Sequence, residues 1–588
     1  MERILVCHIG YKVNENKIAV YQGNGTEKEL SFCLVDDNGN KCFSGTPLYQ
    51  GKVSNWNQGV YWTLDFTEFR ENGTYRLCLD TDKREYLSPY FEIGNPVIRL
   101  KIISDLGYYF KAQRVSGEWE YADTSISFQG NRKGILNLKG GWYDATGDYG
   151  VHLSHLSHST WYNPQQAGFS AYTFFLATEI LQTQDSRQYS MVIRRLLDEG
   201  TYGADFIMRM RAPSGSFFRS ICRDRNAFVS PQGTRKIEYE YRTFSTQFEP
   251  ADEGNHTDIR DENYETSFRS GGGTAIAALA AAARHIYPGS KYTSAQYLSA
   301  AEDAFQYLLH NNIHYTNDGK WNLIDEYCAL LAAVEIYKSS AEYEYLLRAE
   351  EFTEKIIARI VSNKNGEWLA VDGTRPFHHP SDEGLPVIAL LLYAGICKEQ
   401  KEYKEIISIC ERLMKGKITV TKNGVNPFLY PRFEYSDEDG VRELFFFPHN
   451  TSASPWWQGE NARIASLAAA ARMLGFETED ALLAHSLFQF ADAQIQWIFG
   501  RNPYDSSMME GNGRNQNQYF FRGRYDFVNC MGGVVNGITS AMDDENGIEF
   551  IQKPSDASDD NWRWAEQWLP HASWLLLAIA ADKNERNN

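Results

Sequence analysis

Over the first 97 residues, hydrophobic and polar positions alternate in short runs; beyond Pro96 they repeat at helical spacing. Ile4-Leu5-Val6, Ile18-Ala19-Val20-Tyr21, Ser31-Phe32-Cys33-Leu34-Val35, Tyr61-Trp62-Thr63-Leu64-Asp65-Phe66 and Tyr75-Arg76-Leu77-Cys78-Leu79 read as strands, separated by turn pairs such as Asn38-Gly39 and Asn72-Gly73. A period of two gives each strand one core face and one wet face, so residues 1–97 are predicted to form a β-sandwich of about seven strands. Gly94-Asn95-Pro96 ends it.

The remaining chain, 98–588, carries about a dozen amphipathic segments, near 98–114, 166–184, 188–211, 271–286, 294–312, 323–338, 343–362, 384–398, 402–415, 458–474, 480–499 and 562–582. Tyr287-Pro288-Gly289 and Leu474-Gly475 are helix stops. Small residues crowd Ala275–Ala283 and Ala465–Ala471, allowing helices to approach closely. A dozen helices in antiparallel pairs suit a closed ring of hairpins, with a cleft made by the loops at one end. Long polar or aromatic loops fall at 115–165, 212–270, 364–383, 416–457 and 500–561; loops of that length inside a compact domain usually carry function. The run 216–270 is charged and Tyr-rich, with Glu238, Glu240, Asp252, Glu253, Asp258, Asp261 and Glu262. This stretch reads as a solvated insertion, with a lid or a subunit contact, and hence a homodimer, as the alternatives.

A net charge of −18 argues against nucleic acid and against an anionic membrane surface as partners. No apolar run approaches the ~18 residues of a membrane span. The opening MERILVCHIGYKVNENK lacks a basic start followed by a long apolar run, so no leader is expected. Nine scattered cysteines without CxxC spacing fit reduced thiols, and a cytoplasmic location is the expectation. Aromatic residues reach 14%; most will pack a core, but sugar sites also use rings as stacking platforms.

Candidate chemistry is concentrated in two segments. Gly140-Gly141-Trp142-Tyr143-Asp144-Ala145-Thr146-Gly147-Asp148-Tyr149-Gly150 places two carboxylates four residues apart in a glycine-held, aromatic-flanked turn. Hydrolysis of a glycosidic bond needs a carboxylate to activate water and a second group to steady it; the plainer reading is a surface turn. Asn561-Trp562-Arg563-Trp564-Ala565-Glu566-Gln567-Trp568-Leu569-Pro570-His571 sets Glu566 among tryptophans near the start of the last helix. Apolar rings raise a carboxyl pKa by desolvation, as a general acid requires, whereas capping or pairing with Arg563 would be structural. Three further groups are weaker. His152, His155 and His158 recur every three residues; lining a sugar pocket or packing is favoured over a metal. His378-His379-Pro380-Ser381-Asp382-Glu383 precedes a helix, with Ser381 as N-cap and His379 as a substrate contact. Pro455-Trp456-Trp457-Gln458-Gly459-Glu460 offers Trp457 as a stacking platform. No metal and no cofactor are expected.

Together these segments resemble glycoside hydrolase family 9 preceded by its immunoglobulin-like (cellulase N-terminal) module. His8-Ile9-Gly10-Tyr11 with Lys17-Ile18-Ala19-Val20 resembles the opening of the module, and Tyr108-Tyr109-Phe110-Lys111-Ala112-Gln113-Arg114 the entry helix of the barrel. Asp144 through Asp148 resembles the Asp-Ala-Gly-Asp motif with Thr146 inserted, and Phe499-Gly500-Arg501-Asn502-Pro503-Tyr504 the late Gly-x-Asn-Pro signature. The resemblance implies an all-β immunoglobulin-like sandwich at 1–97 followed by an all-α (α/α)6-barrel catalytic domain at 98–588. It also implies an inverting mechanism, with Asp148 as general base, Asp144 holding the water and Glu566 as general acid. The sugar-binding residues expected are Tyr143, Trp457, His379 and Trp562.

Two departures from the family pattern bear on substrate. The His-x-x-His-His-Arg run of the endoglucanases is replaced by Glu510-Gly511-Asn512-Gly513-Arg514-Asn515-Gln516-Asn517-Gln518-Tyr519, and their Gly-Gly-Pro-Asp by Gly532-Gly533-Val534-Val535-Asn536-Gly537. With Tyr162-Asn163-Pro164-Gln165-Gln166, the chain is similar to the divergent branch of exo-β-D-glucosaminidases acting on chitosan-derived oligosaccharides. That likeness implies an acidic residue, with Asp144 the candidate, against the sugar's 2-ammonium group. A β-1,4-glucosidase, cellodextrinase or endoglucanase is the alternative within the class, and a non-catalytic sugar-binding protein the alternative outside it.

Overall fold

The computed structural model describes residues 2–95, 97–146, 152–157, 162–184, 186–223, 235–238, 260–316, 318–373, 375–398, 401–437, 440–447, 458–519, 529–552 and 561–583. Nine strands among them build the N-terminal sandwich: β1 (Arg3–Leu5), β2 (Ile18–Gly23), β3 (Ser31–Asp36), β4 (Lys41–Gly45), β5 (Leu48–Gly51), β6 (Val60–Asp65), β7 (Gly73–Asp80), β8 (Glu85–Leu87) and β9 (Phe91–Ile93). One sheet has the order β1-β2-β6-β5; the other has the order β4-β3-β7-β8, with β9 also on β7. The antiparallel register sets Phe32 against Leu79 and Leu34 against Leu77, four buried side chains on one face. The strand count exceeds the predicted seven because β4 and β8 are short edges rich in exposed residues, which carry no apolar alternation.

Twelve helices of more than ten residues follow among the described residues: α1 (Val97–Gln113), α2 (Ala167–Gln182), α3 (Ser186–Arg209), α4 (Gly273–Arg284), α5 (Ser294–Asn311), α6 (Leu323–Ser340), α7 (Tyr343–Ile357), α8 (Leu385–Ile396), α9 (Lys401–Lys422), α10 (Asn461–Gly475), α11 (Ala481–Ile498) and α12 (Leu569–Ala580). The even-numbered helices form a closed inner ring, each packed on the next, with α12 returning to α2. Each odd-numbered helix backs an inner one, α1 covering α12 and α3. Composition explains the division. Every residue of α4 from Gly273 to Ala283 is buried, as is every residue of α12, so both suit a ring walled on all sides. The outer α7 buries only one stripe, Tyr345, Ala349, Phe352, Thr353 and Ile356. The (α/α)6 ring is thus the observed architecture.

Inner helices enter from the long loops, which therefore gather at one end of the ring. Buried polar groups staple them there. Asp382, ahead of α8, accepts from the Gln165 backbone N–H (2.9 Å) and the Trp574 indole (2.8 Å). Arg463 of α10 donates to Glu460 (2.6 Å), Glu383 (3.1 Å) and the Phe445 carbonyl (3.0 Å). The loops also hold a sheet that their polar sequence did not predict, ordered β11-β10-β14-β13-β12 from β10 (Ile126–Phe128), β11 (Ile135–Leu136), β12 (His152–His155), β13 (Ser220–Arg223) and β14 (Arg235–Ile237). Arg235, inside the segment read as solvated, is anchored by the fully buried Asp123 at 2.5 Å. Among the described residues, no helix is long and apolar enough to cross a membrane.

Sandwich and barrel share one core. Trp56 is fully buried and touches the rings of Phe428, Phe445, Phe446 and Trp497, while Lys12 pairs with Asp582 at 2.6 Å.

Candidate active site

Two backbone segments meet at the loop end of the ring. Gly140 and Gly141 both take positive φ (109° and 77°) to turn the chain ahead of Trp142. A Cβ on Gly141 would lie 2.5 Å from the Ser154 Oγ, so only glycine fits there. Trp142 is fully buried, with its indole on Glu199 at 3.3 Å. From this anchor the chain runs on to Ala145, which forms an antiparallel bridge with Trp568. The Leu569 N–H donates to the Asp144 carbonyl (3.1 Å), and the Thr146 N–H to the Gln567 carbonyl (2.9 Å).

Glu566 is therefore not in the last helix, as its sequence position led us to expect. A short helical turn, Trp562–Ala565, stops before it, and Glu566 is extended (φ −67°, ψ 129°). The helix begins afresh at Leu569, because Pro570 suits a first turn but not a helix interior. The break frees the Glu566–Trp568 backbone to bridge the Asp144 turn on one side and Val535–Asn536 on the other.

The two carboxyls occupy different environments. Asp144 is 4% exposed, and burial pushes its pKa up to about 6 against the opposing pull of His155 and the Trp568 indole. Its Oδ1 has no hydrogen-bond partner among the described residues. Burial and then the Asp144 charge hold the Glu566 carboxyl well above the usual range, against the Asn536 amide. Asn536 is itself fixed: the Ala462 N–H donates to His571 Nδ1 (2.7 Å), which leaves Nε2 to donate to the Asn536 Oδ1 (2.7 Å). The Asn536 Nδ2 then faces Trp562 O (2.7 Å) and Glu566 Oε2 (3.4 Å). Burial pushes the His571 pKa down to about 3, consistent with a neutral ring. The inserted Thr146 donates through Oγ1 to Gln567 Oε1 (2.8 Å) and accepts from Gln113 Nε2 (3.4 Å), which ties the lengthened turn to the strip behind Glu566.

Of the predicted residues, Asp144 and Glu566 are brought together; the Trp562 carbonyl accepts from the Asn536 amide (2.7 Å), and the residue is partly exposed, with the Arg563 guanidinium 4.5 Å from its ring centre. Asp148 and Trp457 lie outside the described residues. Tyr143 is not an open ring: it is buried against Val115 and Trp119 beneath the turn. His379 is fully buried with both nitrogens engaged, Nε2 donating to the Tyr162 carbonyl (2.6 Å) and Nδ1 accepting from the Asp382 N–H (2.8 Å), so it serves the loop and not a sugar. Ser381 bonds Asp382 and does not cap α8, whose N-cap is Gly384. His152–His155 is a strand, so the helical face that would gather three imidazoles is not formed; His158 is outside the described residues. The group of close metal-capable side chains among the described residues, Cys78, Asp80 and Glu85, belongs to the sandwich. The sequence reading gave no role to Asn536 or His571; neither carries a local signal, because each acquires its place from a partner far away in the chain.

The sequence profile of glycosyl hydrolase family 9 matches residues 101–526, most of the barrel. The chain belongs to glycosyl hydrolase family 9. It is accordingly an O-glycosyl hydrolase, and residues 1–84 match the family's companion, the cellulase N-terminal ig-like domain. Solved structures agree in fold over nearly the whole length. The family 9 glycoside hydrolase of Bacteroides ovatus is 18% identical, with a TM-score of 0.64 and 98% of each chain covered. A metagenome-derived family 9 endoglucanase is 16% identical, with a TM-score of 0.62 and 98% of each covered. A thermostable endoglucanase variant from Alicyclobacillus acidocaldarius is 15% identical, with a TM-score of 0.61 and 100% of each covered. No curated protein sequence matches the chain. This family 9 member is similar to endoglucanases, and its inserted Thr146 and the Gln567 and Gln113 contacts are where it departs from the family's motif.

Proposed function

We propose that this family 9 hydrolase cleaves β-1,4-linked oligosaccharides from one end with inversion, and that its preferred terminal unit is glucosamine. The observation that carries the reading is the contrast between the two carboxyls. A raised Glu566 keeps its proton near neutral pH, while Asp144 is ionised there with one buried oxygen unpartnered among the described residues.

In this scheme Glu566 gives its proton to the leaving glycosidic oxygen as the bond to the anomeric carbon breaks. Water attacks that carbon from the opposite face, and Asp148 takes the proton it sheds. Inversion requires the acid and base to stand about 6.5–9.5 Å apart so that the water fits. Both groups return to their starting states by exchange with solvent. Asp144 then serves the 2-ammonium group of the sugar, where charge-assisted bonding in a buried setting discriminates against a hydroxyl. An aromatic wall of Tyr162, Phe433, Tyr435, Phe447 and Trp568, packed with Ala145 beside the turn, supports a site closed on one side, as exo action needs.

The full-length likeness in fold to two endoglucanases favours a second reading, an endoglucanase or cellodextrinase. Asp144→Asn separates the two. On the first reading it lowers kcat/KM for the glucosamine dimer at least tenfold more than for cellobiose, and equal losses on both substrates would discard the ammonium contact.

A further inference from the structure

We propose that the seam between sandwich and barrel holds a second saccharide site, which shares no residue with the Asp144–Glu566 end and takes one neutral, hydroxyl-rich ring.

A cavity of about 270 Å³ lies at this seam. It far exceeds the roughly 10–15 Å³ that one water needs and falls near the lower end of small-molecule pockets, about 300–1,000 Å³. A period of two puts Thr63 and Asp65 on one face of β6, and the register sets Leu48 of β5 and Ile18 of β2 opposite them. The barrel side of the cavity comes from α11, through Gln489, Asp492 and Gln496, and from Arg501 just beyond it. Hydrogen bonds across the seam fix this frame. Asn16 Nδ2 donates to Asp492 Oδ2 (3.2 Å), and Gln496 Nε2 donates to the Asn16 carbonyl and to Glu15 Oε1, both at 2.8 Å. Arg472 holds the other oxygen of Asp492 at 3.1 Å.

Arg501 is the group left short of acceptors. It is 2% exposed, yet it has no carboxylate at ion-pair distance among the described residues. Its Nη2 donates to the Phe428 carbonyl (3.3 Å) and the Ala493 carbonyl (3.4 Å), while its Nε has no partner there. A buried guanidinium ordinarily has its donors matched. Of the other polar groups that line the cavity, the Gln489 amide is partly exposed, and Asp65 accepts from the Thr67 N–H (2.9 Å) without a cation beside it among the described residues.

These groups select the ligand. An anion drawn to Arg501 would meet Asp65 and Asp492, and a cation drawn to Asp65 would meet Arg501. A neutral molecule whose groups both donate and accept avoids either cost. Neighbouring hydroxyls match the paired atoms of amides, carboxylates and the guanidinium. Ile18, Leu48 and Leu429 offer apolar surface to the C–H face of a ring. A pyranose combines these features, and once bound it bridges β6 to α11 and tightens the seam.

Hydrogen exchange followed by mass spectrometry on the full chain tests the site with D-glucose, which has no glycosidic bond to cleave. With glucose at ten times its dissociation constant, amides of β6 and α11 that exchange through opening of the seam are expected to slow by about tenfold. Loss of Arg501 would itself loosen the seam, so the cavity is blocked instead, by Gln489→Trp from the barrel side or Thr63→Tyr from the sandwich side. Each variant is checked for native packing by near-UV circular dichroism and is expected to lose the protection. No slowing at the seam overturns the proposal, as does protection retained in both blocked variants. Slowing spread evenly over the chain is the effect of an excluded co-solvent and also overturns it. Protection by inorganic phosphate and not by glucose would make this an anion site and overturn it too. None of these results bears on whether the chain hydrolyses oligosaccharides.

Discussion

Glu566 and Asp144 carry the same functional group, and in the proposed scheme their different surroundings give them opposite work. Glu566→Gln keeps the shape and hydrogen bonds of the acid but not its proton, so kcat is expected to fall by about 10²–10⁴ with oligosaccharide binding retained in calorimetry. The sign of the pH dependence follows from protonation. The acid acts only while protonated, so kcat/KM falls as pH rises through the raised Glu566 pKa. The Asn536 amide lowers that pKa, so Asn536→Leu moves the alkaline limb to higher pH; a limb that moves down would contradict the assigned bond. Both carboxyls were legible in the sequence because glycines and tryptophans surround them. The residues that tune them were not. Asn536 looks like an ordinary turn residue until His571, 35 positions away, fixes which end of its amide faces Glu566.

Among the elements, the lengthened turn and the interrupted last helix form one unit through the Ala145–Trp568 bridge. Thr146→Ala removes the bond to Gln567 Oε1, which keeps its bond from the Cys530 N–H, so the expected loss of stability is small, about 1 kcal/mol in urea unfolding. Gly141→Ala is expected to cost more, about 1–3 kcal/mol, since its positive φ and the Ser154 contact oppose any side chain. The helix spacing in the sequence located all twelve helices, yet it ran the last one through Glu566. Periodicity registers apolar positions and does not see where Pro570 forces a new start. Likewise the charged stretch at 212–270 hid β13 and β14, because their partners β10 and β12 are more than sixty residues earlier.

For the whole molecule, the sandwich and the ring share a core, with Trp56 among the residues that tie them. Trp56→Ala is expected to destabilise the protein by about 3–5 kcal/mol and to lower its thermal midpoint, with kcat of the folded fraction unchanged. A midpoint equal to that of the unaltered chain would mean that the sandwich does not brace the barrel. The division into sandwich and ring was legible from the change of period near Pro96; the way they pack was not, since nothing around Trp56 marks Phe428 or Trp497 as its partners. The loop end of the ring is where the functional account stands or falls. The most direct test is proton NMR of the sugar first released from the glucosamine dimer and from cellobiose. Beyond the anomers that the dimer's own reducing end delivers, the newly formed hemiacetal is expected as the α-anomer, and faster from the glucosamine dimer; an initial excess of the β-anomer would contradict inversion by Glu566 and its opposing base.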